Sequence, residues 1–392
     1  MRTRDATGGS AGFALVVWGT SPLPLYAEAM ASTGATGTQD WTRYEIELPV
    51  PREAVRIEFG AHFSGAGTAW FDALALETVT DAAITDSVRA YIQHALELMQ
   101  THSMRRDSID WTSFRAHAWE QVRGTRTVAA LHPVLEVLVR RLGDGHSIFV
   151  RQGPNRNPAP VPPGGERAGD HVGYLRVPGF GTADPKQSTA YADAIQDAIR
   201  TLEATGACGW IVDLRNNTGG NMWPMIAGLG PLLGQNPVGW FVRPTGAREP
   251  WTYERGASLY RGTPLATVTR AHVVRDADAP VAVLTDGRTA SSGEAAVVAF
   301  RGRPNTRSFG AATAGMSTGN ESFEMADGSR LLITTNVYAD RTGQTYGTVI
   351  APDVTLPASG SGQPTPNDTV AVAARNWVES QPACAKAATP HR

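Results

Sequence analysis

Lysine is almost missing from this chain. Of its 392 residues 35 are basic, and only Lys186 and Lys386 are lysine, so 33 of the 35 are arginine. Any mechanism that uses a lysine amine as base has almost nowhere to find one. Two cysteines are too few for a disulfide scaffold or a four-thiolate zinc site. Neither sign of charge dominates: the net charge is −2, which leaves no basic face to displace phosphate counterions and excludes a nucleic-acid binder. No stretch reaches the ~18–20 consecutive apolar residues of a membrane span. The apolar run 11–18 follows two arginines but is short, and turn residues at 19–24 break it, so it reads as a strand. No export signal is visible, and the compartment stays open. No His-Glu-x-x-His spacing or comparable ligand set occurs, so neither metal nor cofactor is implied.

What is present is core material, with 42% hydrophobic and 18% charged residues. Residues 1–78 read as all-β. Tyr44, Ile46 and Leu48 alternate with Glu45 and Glu47, and Val55, Ile57 and Phe59 repeat the period of two. A further strand is expected from Trp70 to Leu76. Residues 79–150 read as a small helical segment. Ile84, Val88, Tyr91, Ile92, Ala95 and Met99 keep helical spacing behind Asp81 and Asp86, with later helices near 111–120 and 127–141. Residues 151–170 are rich in Pro, Gly and Arg and read as an exposed linker. An α/β pattern occupies 171–378, with strands at VGYLRVP, GWIVDLR, 238–242, 281–285 and 331–337 and helices at 184–205 and 291–300. Residues 379–392 read as a flexible tail holding Cys384, and Cys208 as a packed thiol.

Two segments could carry chemistry. In VAVLTDGRTASSGEAAVVAF an apolar strand ends at Thr285, and Ser291 and Ser292 stand where a helix begins. A side chain there projects from the carboxyl edge of a sheet, beside helical N–H groups that lack partners. The plainer reading is that these serines only cap the helix. In DLRNNTGGNMWPM the pair Gly219 and Gly220 lets backbone N–H groups approach a ligand, as in an oxyanion hole, but it also suits an ordinary strand-to-helix turn.

Taken together, LGDGHS, VGYLRVPGF, GWIVDLRNNTGGN, VLTDGRTASSGEAA, RSFGAATAGMSTGN and IAPDV resemble, in this order, the C-terminal processing (tail-specific) serine peptidases and their tricorn-core-like branch. The resemblance runs from about residue 80 to residue 356. It implies an α/β fold with a crotonase-like (ClpP/crotonase) core of β-β-α units. The linker occupies the slot where several relatives insert a PDZ domain. Residues GTQDWTRYEIELPVP and IEFGAHFSGAGTAWFDALALE resemble galactose-binding-like jelly-roll modules, which implies a carbohydrate or another ligand for the N-terminal region.

The resemblance makes Ser291 the nucleophile and the N–H of Ser292 one oxyanion donor, with the second from Gly220 or Gly219. Bacterial members pair the serine with lysine, but the matching segment ATAGMSTGN holds Met316, whose thioether cannot take a proton. A Ser–Lys dyad is thereby excluded. Of nine histidines, His146 in GDGHS matches the general base of the tricorn-like branch. The group orienting it is left among Asp340, Asp144 and Ser147. The expected activity is peptide-bond hydrolysis through a Ser291 acyl-enzyme, with peptide or protein as substrate. The alternatives are a non-catalytic binding member of the same fold and a crotonase-type acyl-CoA enzyme. Relatives are often periplasmic or secreted.

Overall fold

The apolar run at 11–18 belongs to a longer strand, β1 (Arg2–Trp18). The computed structural model describes residues 1–30, 33–79, 83–153, 161–234, 236–357 and 364–387. Strands β2 (Pro24–Glu28), β3 (Ala35–Gln39), β4 (Arg56–Phe63) and β5 (Ala66–Trp70) all pair antiparallel with β1. The strand expected at 44–48 does not form. Its alternation is real, since Ile46 and Leu48 turn into apolar clusters while the Glu47 carboxylate accepts from the Arg126 N–H at 2.8 Å. The backbone, however, joins no ladder next to Pro49 and Pro51. The strand expected at 70–76 stops at Trp70, and Ala73 has φ 53, a left-handed conformation that breaks extended chain.

Helix α1 (Asp86–His102) is capped by Thr85 and α2 (Trp111–Gln121) by Asp110. Asp81 lies outside the described residues. A 3-10 turn leads into α3 (His132–Arg141), and β6 (Ile148–Val150) pairs with residues 330–332 of a later strand. The helical stripe Val88, Ile92, Leu96 and Met99 packs in one cluster with Leu135 and Leu138, and Val17, Tyr26 and Leu48 join it from the β region. Periodicity divides this region near residue 79, but burial unites it. Met1–Arg156 with Asn320–Thr335 form one compact unit, and Asn157–Gly319 with Asn336–Arg392 form another.

The second unit starts with β7 (Gly164–Ala168), so the expected linker is partly a strand. Beyond it come β8 (Val172–Arg176), α4 (Pro185–Ala204), β9 (Gly209–Asp213), α5 (Met222–Leu233) and β10 (Asn236–Val242). A meander of β11 (Arg248–Glu254), β12 (Ala257–Tyr260) and β13 (Thr263–Thr267) extends from β10. Then follow β14 (Val281–Thr285), α6 (Ser292–Phe300), β15 (Thr306–Gly310), β16 (Thr318–Glu324), β17 (Arg330–Ala339), β18 (Val354–Thr355), α7 (Thr369–Glu379) and α8 (Pro382–Ala387). The sheet that leads into the turns at Gly219–Gly220 and Ser291 has the order β18-β15-β14-β9-β8-β7, parallel except for the β7–β8 hairpin. Every residue of β9 and β14 is buried, as expected of central parallel strands. These two strands are neighbours, with Asp213 opposite Leu284, so the turns leaving them start at one level of the sheet edge.

The cysteines correct the sequence reading. Cys208 and Cys384 form a disulfide across 176 residues of sequence. Cys384 belongs to α8, buried against the cluster of Val172, Ile211 and Val378, rather than to a free tail. No local pattern announces a pairing between two such distant residues. Among the described residues no helix is long and apolar enough to cross a membrane, and no cluster of His, Cys, Asp and Glu could hold a metal.

Candidate active site

Ser291 occupies the N-cap position of α6, in a capping box with Glu294. Position alone would satisfy the plain capping reading. The backbone does not: φ is 52° and ψ is −115°, whereas capping residues sit in the β region. A serine held in such a sparsely populated conformation costs about 1–3 kcal/mol, and strain of this kind clusters at functional sites. In α/β-hydrolases a strained strand–turn–helix of comparable kind exposes a nucleophilic serine.

Glu294 fixes this turn. Its carboxylate is fully buried and accepts four hydrogen bonds. The Ser291 N–H at 2.9 Å and the Met316 N–H at 2.8 Å reach Oε2, while the Thr313 hydroxyl at 2.5 Å and the Gly315 N–H at 3.1 Å reach Oε1. Desolvation pushes its pKa up, against the pull of those four donors. Met316, which the resemblance sets opposite a lysine, thus supports the Ser291 turn through its main-chain N–H. Lys186 is exposed in the first turn of α4, and the side chain of Lys386 lies outside the described residues.

The glycine turn lies directly against Ser291. A Cβ on Gly219 would stand 2.8 Å from the Cβ of Ser291 and 2.9 Å from the Ala290 carbonyl, and a Cβ on Gly220 would stand 2.2 Å from the Phe180 carbonyl. Both glycines have positive φ, 100° and 114°. Side chains and backbone stitch the two turns together: the Ala290 N–H donates to the Asn217 carbonyl at 2.9 Å, and the Ser292 hydroxyl to the Gly220 carbonyl at 2.6 Å. The Gly219 N–H is taken by Asn217 Oδ1 at 3.0 Å. Among the described residues the N–H groups of Gly220 and Ser292 have no protein acceptor. Beneath the turn, Arg215 clamps Asp213 and reaches Asp368 at 2.9 Å. Burial alone would lower the pKa of Arg215, but its hydrogen bonds to the two carboxylates raise it.

In the first unit His146 is 9% exposed, on a loop shaped by Gly143 and Gly145, both with φ 71°. Asp144 Oδ1 accepts the N–H of His146 at 2.9 Å and of Ser147 at 2.7 Å, and Oδ2 accepts the Ser147 hydroxyl at 2.7 Å. Asn320 Nδ2 donates to the His146 carbonyl at 2.9 Å. Desolvation lowers the pKa of His146, opposed by the charge of Asp144. Of the three groups considered for orienting His146, Asp144 shapes its loop, and Ser147 joins Asp144 to Thr334. Asp340 accepts from Thr342, Gln344 and Tyr346 in its own turn.

One contact had no sequence signal. Tyr338 of β17 is 2% exposed, and its phenol shares a hydrogen bond with the Ser291 side chain. Trp251 packs edge-on against its ring at 5.3 Å, and Phe241 lies at 5.8 Å. Burial, and then the charge of Glu294, push the phenol pKa up, so Tyr338 stays protonated and able to donate. Asn217, by contrast, was legible in principle, since Asn ahead of Gly-Gly favours a side-chain-closed turn.

The family described as peptidase family S41 matches residues 171–356. A nisin-resistance protein of Lactococcus lactis is 28% identical over 275 residues, covering 69% of this chain and 84% of that protein. A carboxyl-terminal-processing protease of Synechocystis is 28% identical over 172 residues, 44% of this chain and 34% of the relative. The solved structure of a lipoprotein from Streptococcus agalactiae aligns with a TM-score of 0.58 at 26% identity, covering 72% of this chain and 95% of that one. Residues 171–356 are accordingly a domain of peptidase family S41, and the chain that carries them is a serine-type peptidase.

Proposed function

We propose that this chain hydrolyses peptide bonds with Ser291 as nucleophile and His146 as general base. The observation that carries the reading is the strained Ser291 backbone beside two uncommitted N–H groups, those of Gly220 and Ser292. His146 takes the hydroxyl proton as Ser291 attacks the carbonyl carbon. The two N–H groups receive the charge that develops on the carbonyl oxygen. His146 then returns the proton to the leaving amine, and water releases the acyl group by the same route. Gly219 is the weaker oxyanion candidate because Asn217 already holds its N–H. Ser292 is the weaker nucleophile because its hydroxyl is bonded to Gly220.

A neutral imidazole suits the base role, and burial favours that form of His146. The adjacent units β9–turn–α5 and β14–turn–α6 support the crotonase-like description of the core. The antiparallel strands around β1 are compatible with a jelly-roll relative, and nothing among their described residues favours a carbohydrate ligand. The substrate is a peptide or protein.

A fluorophosphonate tests the reading because it reacts with an activated serine. Wild type should label once per chain. Ser291→Ala and His146→Ala should not label, while circular dichroism stays unchanged. Undiminished labelling of Ser291→Ala would move the nucleophile elsewhere.

A further inference from the structure

Strand β4 is an edge, and apart from the charges of Arg56 and Glu58 it carries none of the devices by which edge strands usually avoid pairing. Its only strand partner among the described residues is β1, in an unbroken register of eight pairs from Ala11–Phe63 to Trp18–Arg56. It has no bulge and no proline, and a Cβ on Gly60 would meet nothing within 4 Å. Residues 56–61 are exposed along their whole length. Ile57 pairs with Val17 and Phe59 with Leu15, so both continue the face on which Val17 is fully buried. Yet Val55 is 65%, Ile57 37% and Phe59 58% exposed. An apolar face therefore runs out to an open edge.

The order of residues on that edge is self-complementary. In the run Val55-Arg56-Ile57-Glu58-Phe59 the charges have opposite sign and stand symmetrically about Ile57. An antiparallel partner of the same sequence, centred on Ile57, sets Arg56 opposite Glu58 twice, Val55 opposite Phe59 twice and Ile57 opposite itself. Directly opposed residues share a face in an antiparallel pair. The apolar residues of both strands then extend the face of Val17, and two ion pairs lie on the other. Arg56 and Glu58 already pair along their own strand at 3.1 Å, with side chains 59% and 50% exposed, so neither is withdrawn from an incoming strand.

We propose that two copies of this chain associate through β4, antiparallel about Ile57, on a twofold axis. The occupant is a second copy because the charge order fits itself. A strand of unrelated sequence gains nothing from that symmetry. The contact is small, so the dimer is weak and its population depends on concentration.

Sedimentation velocity on the full chain over a concentration series tests this. Wild type should show a monomer–dimer equilibrium. Arg56→Glu and Glu58→Arg alone each turn two opposite-charge pairs into like-charge ones, raising the dissociation constant roughly tenfold or more. Exchanging both charges in one chain should restore the dimer. Mixing the two single variants should also restore it, because one copy then presents two carboxylates on this edge and the other two guanidinium groups. A misfolded variant could not be rescued by mixing, and circular dichroism checks each fold. A wild type that stays monomeric at its highest soluble concentration overturns the proposal, whether the edge is empty or takes some other protein. So do single variants that dimerise like wild type, or a mixture that stays monomeric.

Discussion

At the residue scale, Glu294 is tightly constrained beside Ser291, because all four of its partners are donors. Only an ionised carboxylate accepts from all of them. Glu294→Gln, nearly the same in shape, sets an amide N–H₂ against N–H groups. Fluorophosphonate labelling should then fall on the order of 10²-fold through misplacement of Ser291. Burial raises the pKa of Glu294 in the fold, so between the unfolded value of about 4.3 and the folded value the native chain binds the proton more tightly. Its contribution to stability therefore declines as pH rises through that window. The Glu294→Gln variant should lose this part of the pH dependence of the melting temperature, and an unchanged slope would show that the carboxylate does not titrate there. His146 behaves oppositely. Its folded pKa lies below about 6.5, so its neutral form favours folding above that pH, and the gain is lost as pH falls through the folded value. The labelling rate should rise with pH to a half-maximum below about 6.5, and His146→Ala should erase that limb. A half-maximum near pH 9–10 would indicate another base.

At the scale of elements, β9 and β14 do the positioning. Their parallel register brings two strand-to-helix turns together, and Asn217, Ser292 and Thr289 bind one turn to the other. The tolerance at Gly220 is small, because φ is 114° and a Cβ would stand 2.2 Å from the Phe180 carbonyl. Gly220→Ala should cost about 1–3 kcal/mol in stability from backbone strain. It should also reduce turnover by about 10²–10³-fold if the displaced N–H serves the oxyanion. Thermal melts and kcat measured together separate the two effects. A variant that loses stability but keeps kcat would remove Gly220 from the oxyanion role.

At the scale of the whole chain, the disulfide ties α8 to the residue just before β9, the strand that leads into the glycine turn. Cross-links of this kind typically contribute about 2–4 kcal/mol. Cys384→Ser, or a reductant, should lower the melting temperature accordingly. Native protein should show no free thiol to a thiol reagent, and two free thiols without reductant would refute the pairing. Disulfides persist where thiols are oxidised, so this bond bears on where the chain can mature.

The sequence by itself determined the elements whose signal is local. Helix α4 was legible from Asp184 to Thr205 because a capping aspartate precedes a regular apolar stripe. Strands β9 and β14 were legible as unbroken apolar runs, and Ser291 was legible at the turn after one of them. Near scarcity of lysine argued against a Ser–Lys dyad before any fold was known. Only the tertiary structure decided what depends on distant residues. The left-handed backbone of Ser291 is held by Glu294 and the segment at 313–316, and the Tyr338 phenol arrives from a separate strand. The Cys208–Cys384 bond closes over 176 residues. The failure of residues 44–48 to become a strand has the same origin: alternation reports which side chains turn inward, whereas a strand also needs a neighbour to complete its hydrogen bonds.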